Sequence, residues 1–264
     1  MGRKHIICEK WPVVAMVLTT PLAMVLTLIP EALGLGKVAS NFASCIAAVG
    51  VLLLFKWWFS PEFKDVFTLR TSLAELGILL LPWVAKVAAT LVSGWVDYGF
   101  YFNPTLLSLS MALAAGFVEE TWFRGLAVPI GMGYLPKEKR VFTTVLVTSI
   151  IFGVIHVGNV FNGARIEIGI LQAIATTFAA FFFVAVFLRT GNILVPIALH
   201  AAWDYISFTT DPTVVNGIMM NEGISIGLMV AVAIEVAFGC AGLYLIRPAV
   251  HDKINRIWSE IWDR

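Results

Sequence analysis

Apolar residues in this chain run in long blocks that polar residues seldom interrupt, rather than alternating at the strand period or striping one helix face. Eight blocks can be read, at residues 11–30, 38–58, 73–92, 105–127, 141–157, 168–188, 191–207 and 224–246. A helix needs roughly 20 residues at 1.5 Å each to cross a bilayer, and most of the blocks meet that length. The fifth and seventh are near the short limit. The pattern predicts an all-α, polytopic transmembrane helical bundle of about eight spans. The first block follows a short basic segment, as a secretory signal would. It is longer than an ordinary signal core, however, and ends in Ile29-Pro30-Glu31 without a small-x-small cleavage pattern, so it is expected to be the first span. Gly2 is followed at position 6 by Ile6, so the myristoylation pattern fails. After Pro248, residues Ile254, Ile257, Trp258, Ile261 and Trp262 share one helical face. Segment 248–264 therefore suits an amphipathic helix lying in the cytoplasmic interface, or a tail packed against the protein's own loops.

Composition agrees. The chain is 59% hydrophobic and 13% charged, with a mean hydropathy of +0.88. An ordinary soluble domain is about 25% charged. A net charge of +1 without a dense basic patch excludes a nucleic-acid partner and leaves the lipid bilayer as the surroundings. Cys8, Cys45 and Cys240 are few, odd in number and not in CxxC spacing, so neither a disulfide framework nor a thiolate metal site is indicated. Fourteen of the 18 Lys and Arg fall in connections on the N-terminal side of the bundle, and only Lys37 and Arg165 on the other. That bias places both termini in the cytoplasm. No internal repeat stands out, and residues 1–264 read as one domain.

Lys86 and Arg124 are the two basic residues inside predicted spans. Lys86 can snorkel if its span tilts and reads as structural. Arg124 belongs to Glu119-Glu120-Thr-Trp-Phe-Arg124 in the fourth span, where a charge costs at least about 2.5–3.5 kcal/mol and needs a reason. Adjacent carboxylates diverge by about 100° around a helix, whereas Glu120 and Arg124 share a face and can pair, leaving Glu119 the freer of the two. A helix end dipping into the headgroups, with all three groups solvated, is the bland alternative. The fifth span closes in Phe152-Gly-Val-Ile-His156-Val-Gly-Asn159, and the seventh holds His200-Ala-Ala-Trp-Asp204. Such groups satisfy one another only by converging inside the bundle, where acid–base chemistry becomes possible. Depth is the difficulty. His156 lies about 22 Å along its span from Val141, and His200 only about 13 Å from Gly191. Asp97, Asp211 and Glu222, and Arg165 with Glu167, read as solvated ends.

Taken in order, Glu119-Glu120-x-x-x-Arg124, Phe152-x-x-x-His156 and His200-x-x-x-Asp204 resemble the three motifs of the CPBP family of intramembrane proteases. That family includes the type II CAAX prenyl endopeptidases and the bacterial Abi, or bacteriocin self-immunity, proteins. The resemblance covers about residues 105–207, the expected catalytic motif core. It implies peptide-bond hydrolysis in the membrane by an activated water. Glu119 would be the general base, and His156 would help to orient or deprotonate the water. His200 with Asp204 would stabilise the oxyanion, and Glu120 with Arg124 would hold the site or meet a substrate carboxylate. Phe152 and Asn159 would support it. Prenyl endopeptidases carry Asn where this chain has Asp204. An ionised Asp cannot donate to an oxyanion. Asp204 is therefore expected to stay protonated, or to orient His200 by accepting its N–H, or to belong to a metal site.

A zinc or other divalent ion on Glu119, His156, His200 and Asp204 is the metal-dependent alternative. The spacing is not H-E-x-x-H, which favours a metal-free, glutamate-type site without cofactor over a metalloprotease-like one. The expected partner is a short peptide or membrane-protein substrate, and the setting a bacterial cell membrane. A non-catalytic immunity or scaffold protein that binds peptide is the rival from another class. A proton-coupled transporter lacks the inverted repeat that would support it.

Overall fold

A computed structural model describes residues 5–212 and 223–263. Arg3, Lys4 and Arg264, counted in the charge bias, and Glu222 lie outside the described residues. Among the described residues there is no strand. Seven helical stretches are long and apolar enough to cross a membrane: Pro12–Ala32, Lys37–Trp58, Leu73–Tyr98, Leu106–Tyr134, Arg140–Phe161, Ile166–Thr190 and Ile226–Leu245. The seventh predicted block forms a helix, Leu194–Thr210, of 17 residues. The protein is an all-α polytopic bundle and an integral membrane protein.

We number the helices α1 (Ile6–Lys10), α2 (Pro12–Ala32), α3 (Lys37–Trp58), α4 (Leu73–Tyr98), α5 (Leu106–Ala114), α6 (Ala127–Tyr134), α7 (Arg140–His156), α8 (Ile166–Thr190), α9 (Leu194–Thr210), α10 (Ile226–Leu245) and α11 (His251–Ile261). Starts are written locally. The Ser72 hydroxyl accepts the Glu75 amide, Thr105 and Ser108 form a reciprocal capping box, and the Ser225 hydroxyl accepts the Leu228 amide. The fourth span runs beyond its predicted end, to Tyr134, because apolar residues continue past Arg124. It is not a plain α-helix. Two π-helical turns, Ala115–Glu119 and Thr121–Gly125, join α5 to α6 and carry the acidic motif. Widened turns of this kind recur at functional sites. The Thr20 hydroxyl of α2 donates to the Trp122 carbonyl within the second of them (3.3 Å).

The second half of α8, Ala179 to Thr190, is buried along its whole length and is the centre of the molecule. Its C-terminal turn, at Gly191 (φ +64°), is buried too. Two segments cover it. The connection after α3 reaches under it, with the Arg70 amide donating to the Thr190 carbonyl and the Ile193 amide to the Val66 carbonyl. Helix α11 closes beside it, the Trp258 indole donating to Leu188 O (3.2 Å) and the Trp262 indole to Pro129 O (2.9 Å). Ile254, Ile257, Trp258 and Ile261 are buried in the bundle. The C-terminal helix is thus amphipathic as expected, but its apolar face meets protein, the second of the two readings of the tail. Glu75 ties this end together by accepting from both Arg189 and Lys253.

The buried turn resolves the depth problem. Helix α9 begins behind a covering layer of the protein's own chain. The mismatch along the two spans is about 9 Å, and one layer of packed helix is about 8–10 Å thick.

Candidate active site

Three elements bring the motif residues together. Gly116 lets the π-helical segment lie against α9, since a Cβ there would stand 2.7 Å from the Ile197 carbonyl and 2.8 Å from the Ala201 methyl. This contact, on either side of His200 in α9, sets Glu119 and Glu120 beside that residue. Glu120 and Arg124 are fully buried and paired at 3.1 Å, the i, i+4 contact expected from the spacing. Glu120 Oε1 also stands 2.8 Å from His200 Nδ1. A carboxylate only accepts, so Nδ1 carries the hydrogen and Nε2 is the nitrogen left for the cavity. Phe183 stacks on the His200 ring (centroids 5.2 Å apart, 24° between planes). The Arg124 guanidinium also lies 4.3 Å over the Phe152 ring, a cation–π contact that adds to its pairing with Glu120.

His156 ends α7, and its Nδ1 donates to the Phe152 carbonyl at 2.7 Å. Both histidines therefore have Nδ1 tied to an acceptor and Nε2 free. Phe152 packs against both rings, with centroids 4.7 Å from His156 and 6.3 Å from His200. Around His200 Nε2, Asp204 Oδ2 lies at 3.6 Å and Glu119 Oε2 at 3.9 Å. Neither is a direct hydrogen bond. Glu120, not Asp204, is thus the carboxylate that orients His200, whereas the sequence offered Asp204 for that role. Asn159 stands one step back, its amide donating to Gln172 Oε1 (2.9 Å).

Glu119, Phe152, His156, His200 and Asp204 line one cavity of about 410 Å³, within the range of small-ligand sites. Glu120 and Arg124 do not line it, and their burial removes Arg124 as a direct partner for a substrate carboxylate. Glu119 retains 27% side-chain exposure, so adjacent carboxylates have opposite surroundings. Among the described residues, no three His, Cys, Asp or Glu side chains are grouped so as to hold a metal ion.

Lys86 departs from expectation. It does not snorkel. It is buried on the cavity wall, 2.6 Å from Glu235 Oε1 of α10, with its ammonium 3.7 Å above the Trp203 ring. Burial of the whole stem leaves no path to the headgroups, so the charge is met by a partner instead. The rule that marks intramembrane charges as meaningful would also have marked Glu235, which the sequence reading passed over.

The fold and the cluster define a class, a polytopic membrane protein with a carboxylate–histidine centre inside its bundle. Residues 101–206 match the family model described as Type II CAAX prenyl endopeptidase Rce1-like. That segment, less than half of the chain, is thus similar to the type II CAAX prenyl endopeptidases. All seven motif residues fall inside the matched segment, and Lys86 and Glu235 lie outside it. No curated protein and no solved structure matches the chain.

Proposed function

We propose that this protein is an intramembrane endopeptidase that cleaves a short or membrane-associated peptide with a water activated by Glu119 and His156. The convergence of Glu119, His156, His200 and Asp204 on one cavity supports the reading most directly. Of the adjacent pair Glu119 and Glu120, Glu119 is the carboxylate with access to that cavity, the requirement for a general base. His156, with its Nδ1–H held by the Phe152 carbonyl, offers Nε2 to the same water. His200 Nε2 and Asp204 line the same cavity and would meet the carbonyl oxygen, where negative charge develops. There a protonated donor at Nε2 or at the Asp204 carboxyl would stabilise it. Glu120 and Arg124 position His200 and take no proton.

Both termini are assigned to the cytoplasmic side of what is read as a bacterial membrane, on the distribution of basic residues. The test is a vesicle assay with a randomised pool of synthetic peptides, read by mass spectrometry. Glu119→Gln is expected to lower cleavage by about 10²-fold or more with the protein still monodisperse. Undiminished cleavage in that variant would overturn the reading. Cleavage unaffected by o-phenanthroline or EDTA is expected of the metal-free site, and loss reversed by added zinc would restore the metal alternative.

A further inference from the structure

Helix α8 contributes Ile168, Gln172, Ala175, Thr176, Ala179 and Phe183 to the wall of the cavity, at the spacing of one helix face. Two of them are polar. The Thr176 hydroxyl gives its hydrogen to the Gln172 backbone carbonyl at 2.8 Å, one turn back, and so has none for the cavity. The Gln172 side chain is held differently. Gly169 lets the 3-10 turn that follows α7, Val157–Asn162, lie against α8, since a Cβ there would stand 2.6 Å from Val160 Cγ2. That approach puts Asn159 beside Gln172, three residues further along α8, and Asn159 Nδ2 donates to Gln172 Oε1 at 2.9 Å. Asn159 is itself pinned, its backbone carbonyl accepting the Ala164 amide at 3.0 Å. With Oε1 taken, the end of the Gln172 amide left for the cavity is Nε2. It is a donor, and no acceptor meets it among the described residues.

We propose that Gln172 is a substrate-binding residue whose Nε2 donates to a main-chain carbonyl of an unwound peptide segment lying along α8. Asn159 is the positioning residue that turns this donor into the cavity. The inference rests on the endopeptidase reading of the same cavity. A helical substrate has its carbonyls engaged within the helix, so a donor here has use only for a chain that has been opened. An opened chain inside a bilayer must have its carbonyls met by protein or by water. A neutral amide meets that need without selecting side-chain charge, so the site accepts peptides of varied sequence. The register follows from α8. Phe183, which stacks on His200, lies eleven residues from Gln172, about 16 Å along the axis. An extended chain covers that distance in about five residues. The contact therefore falls about five residues from the carbonyl held at His200, on one side of the cut only.

The experiment uses the full chain in vesicles with two pools of randomised synthetic peptides, about 12 and about 4 residues long. Gln172→Glu keeps an oxygen for Asn159 but removes both donors, and Gln172→Met removes the amide altogether. On the longer pool each is expected to raise KM about tenfold with kcat within about twofold of the parent, the size of one hydrogen bond. Asn159→Ala should raise KM in the same way and add nothing to Gln172→Met. The melting transition in detergent should stay within a degree or two. On the shorter pool, which cannot reach Gln172, the variants and the parent should agree. An unchanged KM on the longer pool, a loss confined to kcat, or an equal loss on the shorter pool overturns the proposal. Binding is also measured without turnover, by fluorescence anisotropy of the dye-labelled longer pool on Glu119→Gln with and without Gln172→Met. Binding weakened about tenfold by Gln172→Met, where the parent chain cuts nothing, would keep the peptide site and remove the protease reading. Glu119-dependent cleavage indifferent to both Gln172 variants would do the reverse. Neither cleavage nor binding would remove the two together.

Discussion

Glu120 is enclosed completely, and its two contacts divide the labour of the acidic motif. One oxygen serves both Arg124 and His200, so its neighbour Glu119 remains for chemistry. Removing one partner of a buried pair leaves the other charge stranded, at a cost of about 3–5 kcal/mol. Arg124→Ala should therefore lower unfolding stability in detergent by about that amount, measured by thermal or denaturant unfolding. Glu119→Gln should leave the transition within a degree or two of the parent while removing activity, and a large drop in stability there would contradict the division. The Glu120–Arg124 pair could be read from the sequence because the i, i+4 relation is local. The Glu120–His200 contact spans 80 residues and the Lys86–Glu235 pair 149. No spacing rule reaches that far. Chemistry could flag each charge as needing a partner, but only the folded arrangement supplied which one.

At the level of helices, hydropathy located the spans well because the bilayer imposes one length on all of them. It could not show the π-helical turns, since nothing in Ala115–Gly125 encodes a wider turn except the tertiary contacts that Gly116 permits. Gly116→Ala should force α9 away from the motif segment and reduce cleavage more than it reduces expression, a comparison made on matched protein amounts. The tail was half legible: its periodicity gave a two-faced helix, but periodicity does not distinguish lipid from protein as the apolar side. Because Trp258 is fully buried and bonded to Leu188 O, Trp258→Ala should cost about 3–5 kcal/mol in unfolding experiments. A helix lying on lipid would lose far less. The connection after α3 adds a pH dependence. Burial alone would raise the Asp65 carboxyl, but hydrogen bonds from the Phe67 and Thr68 amides, with Arg70 nearby, hold it below its usual range. A lowered folded value means the stabilisation is complete above about pH 4 and is lost as pH falls further. The penalty of Asp65→Asn should accordingly be seen at pH 7 and shrink towards pH 3.

For the whole molecule, the charge bias predicts that a green fluorescent protein fused after residue 264 fluoresces in a bacterial host, whereas a periplasmic reporter there stays inactive. The opposite pair of results would invert the topology. The depth of His156 and His200 was the point at which straight-helix arithmetic failed. It failed because a bundle of this kind can carry a further layer of its own chain below one helix, here α11 and the connection after α3. That arrangement has a temporal consequence. During synthesis, α9 leaves the ribosome before α11 does, so His200 cannot rest at its final level until the last helix has been made and has closed over Gly191. A chain halted near Arg247 is expected to insert its spans yet to lack the proposed cleavage, because the layer that sets the level of His200 has not been made.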